Sequence, residues 1–261
     1  METLYRQTPP WILTLAVFAL LIALLFVGAF LRHRKDHAAG DAKNEDDAFE
    51  NLSASAILGL LALLLGFSFA LALDRFDLRR SMTLQEANAI STTYLRSQLM
   101  DEPYRTRFHD LLQGYTAHRI KIARVADADV QRRLSVRTEQ YRRQMAAVTL
   151  EAIRPVYNSE FGTAFMDSVN ETLNIGAARK AARLATIPAR VLVMLLLYLA
   201  VTSVIVGFVM ERGRERWAAA VLLLMLAMSY GLILDIDQPN RGSIRESQGP
   251  MEDVLQSMQG G

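Results

Sequence analysis

Hydrophobic positions in this chain gather into four uninterrupted blocks. Residues 11–31, 53–73, 191–210 and 217–234 contain no Asp, Glu, Lys or Arg. About 20 apolar residues at 1.5 Å rise cross the ~30 Å hydrocarbon core of a bilayer, so each block predicts a transmembrane helix. The fourth block is the shortest, and its Trp217 and Tyr230 suit the membrane interface. The first is too long for a signal-peptide core, and its basic flank LRHRK follows it, so it reads as a retained span. The blocks are separated by a polar connector (32–52), a long insert (74–188) and a short basic link, and a polar tail (235–261) follows the last. The expected fold is therefore an all-α integral membrane protein. Its four transmembrane helices form two hairpins, with a long helical extramembrane insert between helices 2 and 3.

Helical signals run through the insert. No Gly or Pro occurs between Phe67 and Glu102, so the second span predicts a helix that continues to about Met100. Asp101-Glu102-Pro103 is a break and a fresh start, after which Tyr104, Phe108, Leu111, Leu112 and Tyr115 recur at helical spacing. A further helix is expected from about Asp127 to Ile153, with Val130, Leu134, Tyr141, Met145 and Val148 apolar and Arg154-Pro155 ending it. Another starts near Ser159, carries Phe161, Phe165, Val169 and Leu173, and leads towards Pro188. There is no alternating strand pattern and no internal repeat. The apolar stripes are narrow and arginines abundant. These helices are expected to pack on one another or on neighbouring subunits more than to fold as an isolated domain.

Composition narrows the chemistry. Without cysteine there is no disulfide framework, thiolate nucleophile or Cys-based metal site. A net charge of +2 gives no ground for a nucleic-acid partner. Dinucleotide, P-loop, zinc-protease and serine-hydrolase signatures are absent, so neither an enzyme nor a cofactor is expected. His33 and His37 stand at i, i+4 but read as solvated, and His109 and His118 have no partner at ligand spacing. The acidic stretch 36–52 lacks the spacing of a calcium loop and reads as a solvated connector. Asp74 and Asp77 lie among Arg75, Arg79 and Arg80, which favours structural ion pairing over acid–base chemistry.

Two features of the second span bear on function. Ser55, Gly59, Ala62, Gly66 and Ala70 form one smooth stripe. Such a stripe serves either close helix–helix packing or a wide pore face. The span also carries no charge, unlike a proton relay or ion-coupled carrier. An apolar constriction can nonetheless gate ions by dewetting.

Leu65-Gly66-Phe67, followed after seven residues by Arg75 and Phe76, resembles the second-helix pattern of bestrophins. DRFDLRR (74–80), EANAI (86–90), NETLN (170–174) and the tail DIDQPNRGSIRESQGPM (235–251) resemble the bacterial bestrophin-like family over nearly the whole chain. The resemblance implies a pentameric homo-oligomer in the bacterial inner (plasma) membrane that conducts an anion such as chloride through a pore lined by five copies of helix 2. It places the pore neck at Gly59, Leu63 and Phe67, and the mouth at Asp74, Arg75, Phe76, Arg79 and Arg80. Aromatic ring edges carry partial positive charge, and arginines at a mouth raise local anion concentration. Gly59 stands where the family's neck is bulky, and Asp77 where its second Trp would be. The tail lacks the acidic run that bestrophins use for calcium, so calcium gating is not implied. The rival reading is a non-conducting membrane protein, monomeric or dimeric, whose Arg-rich insert senses envelope state or binds a partner.

Orientation divides two arguments. The connectors 32–52 and 211–216 carry seven basic residues (Arg32, Arg34, Lys35, Lys43, Arg212, Arg214, Arg216), against three in the N-terminus and tail (Arg6, Arg241, Arg245). The positive-inside rule then puts the connectors in the cytoplasm and the insert in the periplasm. The bestrophin resemblance implies a cytoplasmic insert. The charge rule is the physical argument and is followed here, although Arg75, Arg79, Arg80, Arg179, Lys180, Arg183 and Arg190 flank the insert and oppose it.

Overall fold

The computed structural model describes residues 8–38, 44–210, 216–239 and 242–260, and among them there is no strand. Helix α1 spans Pro10–Ala38 and α2 spans Asn44–Ser97, followed by α3 (Tyr104–Arg124) and α4 (Ala128–Ile153). A 3-10 turn (Arg154–Val156) leads to α5 (Glu160–Leu184), α6 (Ala189–Val209), α7 (Arg216–Asp237) and α8 (Gly249–Gly260). Among the described residues four helical stretches are long and apolar enough to cross a membrane, as expected. Most of the polar connector 32–52 is helical, which the reading as a solvated connector did not anticipate. No Gly or Pro lies between Asp41 and Leu58, so nothing in the sequence stops the helix there. Arg6, Lys43, Arg212, Arg214 and Arg241 of the charge count fall outside the described residues, as does the side chain of His37.

The chain divides into two compact units. Unit 1 comprises Met1–Asp74 and Thr186–Ile244. In it α1 packs along α6 and α7, and Val17, Leu21 and Leu25 of α1, Leu195 and Leu199 of α6 and Leu223 of α7 are buried. Two glycines set how near α1 and α6 come. A Cβ on Gly28 would collide with the Val204 carbonyl, and one on Gly207 with the Leu25 carbonyl. Small residues permit this backbone approach in a membrane bundle. Within unit 1, α2 buries a narrow stripe of Ala54, Leu61, Leu65, Ser68 and Ala72. Arg32 and Lys35 of α1 both bond Glu50 of α2. The carboxylates of Asp235 and Asp237, at the end of α7, accept backbone amides from outside the helix. Asp237 accepts from the Ile187 amide at 2.9 Å, and Asp235 from the Ser243 amide at 2.7 Å.

Unit 2 comprises Arg75–Ala185 and Arg245–Gly261. It has a core of its own, so its helices pack on one another, one of the two arrangements the sequence leaves open. Ile90 and Tyr94 of α2 meet Phe108, Leu112 and Tyr115 of α3, Met145 and Val148 of α4, and Phe165 and Val169 of α5. Phe108 and Phe165 meet edge to face at 5.1 Å. The helix starts follow the sequence signals. Asp127 caps α4 by accepting from the Asp129 and Val130 amides, and Ser159 caps α5 by accepting from the Gly162 amide. The tail holds a helix that the sequence reading missed. Met251 and Met258 of α8 are buried in this core, so the polar tail (235–261) is split between the two units.

Candidate functional site

The candidate neck residues Gly59, Leu63 and Phe67 recur every four residues along α2, one helical turn apart. All three are exposed. Leu63 is 54% and Phe67 65% accessible, and a Cβ on Gly59 or Gly66 would meet nothing within 4 Å. Among the described residues, the small-residue stripe is therefore not a helix-packing seam within the chain. That work falls to Gly28 and Gly207 instead. The opposite side of α2 carries Leu61 and Leu65 into the interior of unit 1.

The candidate mouth residues separate. Asp74 and Arg80 are exposed, Arg75 and Phe76 are half-buried, and Arg79 is only 1% exposed. Arg79 lies on the buried face of α2 with Thr83 and Glu86. Neither Asp74 nor Asp77 makes an ion pair among the described residues, so the expected pairing with the adjacent arginines is not formed.

The charged centre of unit 2 lies elsewhere, at Glu86, and sequence reasoning missed it. Glu86 is fully buried. Its carboxylate accepts from Tyr115 Oη at 2.7 Å, Arg119 Nε at 2.7 Å, Arg119 Nη2 at 3.0 Å and Arg179 Nη1 at 2.6 Å. Burial opposes the Arg119 charge, but the Glu86 carboxylate outweighs it and raises the Arg119 pKa. Burial and Glu86 together push the Tyr115 hydroxyl well above its ordinary range. Gly176 makes room for this pair, since a Cβ there would strike Tyr115 Oη. The tail completes the network. Gln248 Oε1 accepts from Arg179 Nη2 at 2.5 Å, and Glu246 pairs with Arg183. Every Glu86 acceptor site is taken by the fold, which makes the cluster structural. Among the described residues no three His, Asp or Glu side chains converge as metal ligands.

His118 is buried and its Nε2 donates to the Leu134 carbonyl at 2.8 Å. Burial lowers its pKa, with the Leu134 bond opposing and Arg137, Arg119 and Lys121 assisting.

The sequence profile of the bestrophin-like domain matches residues 13–251. The chain belongs to the bestrophin-like family. Solved structures agree on the fold of this bestrophin-like chain. A substituted form of a membrane protein superposes with a TM-score of 0.67 at 14% identity, covering 94% of this chain and 98% of that one. Two variants of a bacterial bestrophin homologue from Klebsiella pneumoniae give TM-scores of 0.64 and 0.63 at 14% and 15% identity. They cover 94% and 95% of this chain, and 98% and 97% of their own. Among curated proteins, none matches the chain in sequence.

Proposed function

We propose that this bestrophin-like protein assembles as a homo-oligomer in the bacterial inner membrane and conducts anions through a pore lined by α2. One observation carries the reading. The charge-free half of α2 has Gly59, Leu63 and Phe67 on an exposed face that no other part of the chain covers among the described residues. Around a central axis, copies of that face form an apolar constriction with aromatic edges at Phe67. Such a constriction passes or blocks ions according to its wetting. Partial positive charge on ring edges tolerates an anion better than a cation. Arg80, exposed 13 residues beyond Phe67, would concentrate anions at the mouth in this reading, with the buried Arg79 contributing less.

The test is halide efflux from liposomes containing the purified protein, beside its subunit count by native mass spectrometry. Pentamers with chloride efflux, altered by Phe67→Ala and Leu63→Ala, are expected. An assembled wild type without efflux overturns conduction, and unchanged efflux in both variants overturns the neck assignment. The rival, a partner-binding insert, draws on the charged outer face of α4. It predicts a monomer or dimer that crosslinks to another protein through residues 104–187 of this chain.

A further inference from the structure

Positive charge in this chain is concentrated at one end of the α3–α4 hairpin. Residues 119–143 hold eight Lys and Arg against three Asp and Glu, in a chain whose net charge is only +2. Most arginines of these two helices are neutralised where they stand. Arg105, Arg107, Arg124, Arg132, Arg142 and Arg143 each reach a carboxylate. Lys121, Arg133 and Arg137 are exposed and form no ion pair among the described residues. Like charges one turn apart oppose a helix, and Arg133 and Arg137 are such a pair.

The contacts between the helices hold this end together. His118 Nε2 of α3 donates to the Leu134 carbonyl of α4 at 2.8 Å. The His118 ring lies 5.7 Å from the Tyr141 ring, and the Arg137 guanidinium lies 5.5 Å over that same ring. Tyr141 rests close on α3 because Gly114 lies beneath it, where a Cβ would come within 2.8 Å of the ring. Lys121 follows His118 by three residues, and Arg133 precedes Arg137 by four, so each shares a helix face with that neighbour.

We propose that Lys121, Arg133 and Arg137 bind a multiply charged, phosphate-type anion from solution, with Tyr141 holding Arg137 in place. A guanidinium fork matches phosphate oxygens in pairs, and a lysine adds a point charge. A lipid surface fits less well. Between Asp127 and Arg143, Val136 is the exposed large apolar side chain among the described residues, too little to enter a bilayer. An acidic peptide would need cations spaced along α4, but further along the helix Glu139 takes Arg142 and Arg143. His118 is coupled to the occupant. Burial holds its pKa below the ordinary value and the Leu134 bond opposes, while Arg137, Arg119 and Lys121 add to the depression. Arg119 is committed to Glu86, and the carboxylates of Asp129, Glu139 and Glu252 are committed to other arginines. An anion on Arg137 and Lys121 relieves their repulsion and draws a proton onto His118. The inference is independent of the channel reading.

The test is isothermal titration calorimetry of the full chain in detergent, with inorganic pyrophosphate as the probe and physiological sodium chloride present. Arg133→Gln and Arg137→Gln are expected to weaken binding about tenfold each. Arg143→Gln removes the same charge from a residue already paired with Glu139, and is expected to change the affinity less than about threefold. All three sites are exposed, so far-UV circular dichroism stays that of wild type. Titrations in two buffers of different ionisation enthalpy count protons. Wild type is expected to take up more protons on binding than His118→Gln. No binding to wild type overturns the inference. Equal weakening by Arg143→Gln overturns it too, because a diffuse field would then act and not a site. Equal proton uptake in His118→Gln overturns the coupling. Tighter binding of a short-chain phosphatidylglycerol than of pyrophosphate overturns the assignment to a ligand from solution in favour of a lipid headgroup.

Discussion

Replacing Glu86 with Gln tests what holds unit 2 together. The substitution keeps the volume and removes the charge. Glu86 is 0% exposed and both its oxygens are occupied by Tyr115, Arg119 and Arg179. The glutamine amide offers one acceptor oxygen, and its nitrogen is a donor that faces other donors. Arg119 and Arg179, 5% and 1% exposed, would stay buried without their carboxylate. Breaking one side of a buried ion pair costs about 3–5 kcal/mol. A domain of this size loses roughly 2–4 °C of melting temperature per kcal/mol, so Glu86→Gln is expected to lower it by about 10 °C. Both tryptophans, Trp11 and Trp217, lie in unit 1, so far-UV circular dichroism is the suitable readout. A double-mutant cycle with Arg119→Gln isolates the pair. The double variant is expected to lose less than the sum of the singles by about 0.5–3 kcal/mol. A fall under about 2 °C for Glu86→Gln, or strict additivity, would refute the reasoning, because the carboxylate would then not be the partner of two buried cations.

Other consequences are equally direct. Gly207→Val drives a side chain into the Leu25 carbonyl, and overpacking of this kind costs about 1–3 kcal/mol or more. A melting temperature equal to wild type would show that α1 and α6 do not cross there. His118 has a depressed folded pKa, so the unfolded chain binds more protons just below the ordinary histidine value of about 6.5. Its contribution to stability is present above that pH and is lost as pH falls from there towards the folded pKa. His109, lowered chiefly by burial, adds in the same direction. His118→Gln keeps a donor for Leu134 and is expected to flatten the acid side of a melting-temperature profile; an unchanged slope would count against the buried imidazole. The absence of cysteine makes orientation easy to read. The charge rule predicts that Gln144→Cys reacts with an impermeant maleimide in spheroplasts, and labelling only after lysis would place the insert in the cytoplasm.

Much of the fold was readable because it depends on local signals. Four charge-free blocks, the unbroken run from Phe67 and the caps at Asp127 and Ser159 each act within a few residues. The missed features depend on partners far along the chain. Arg119 and Arg179 lie 33 and 93 residues from Glu86. Helix α8 is short and opens with Gly249-Pro250, punctuation that reads as a tail, although Met251, Val254, Leu255 and Met258 keep a helical spacing. The neck residues shared a face by spacing alone, but their exposure needed the other helices. The burial of Arg79 had a usable signal. Leu61, Leu65, Ser68, Ala72, Arg79, Thr83, Glu86 and Ile90 follow one helical phase, so an arginine in that phase belongs to the interior.

The glycines of α2 separate a pore-lining helix from one that merely faces lipid. Glycine within a helix costs about 0.5–1 kcal/mol relative to alanine. At Gly28 and Gly207 that cost has a visible return, since backbones touch where no side chain fits. At Gly59 and Gly66 the described residues show no such return, because a Cβ on either would meet no other part of the structure within 4 Å. If this face met only hydrocarbon, Gly59→Leu and Gly66→Leu would add helix propensity and apolar surface at no loss. Both variants would melt at or above the wild-type temperature and keep their subunit count and efflux. If copies of α2 converge on an axis, the added side chains fill the constriction or push the copies apart. Efflux then falls, with or without loss of the oligomer, while the helix content of each chain is unchanged. Full efflux from both leucine variants would remove α2 from the pore.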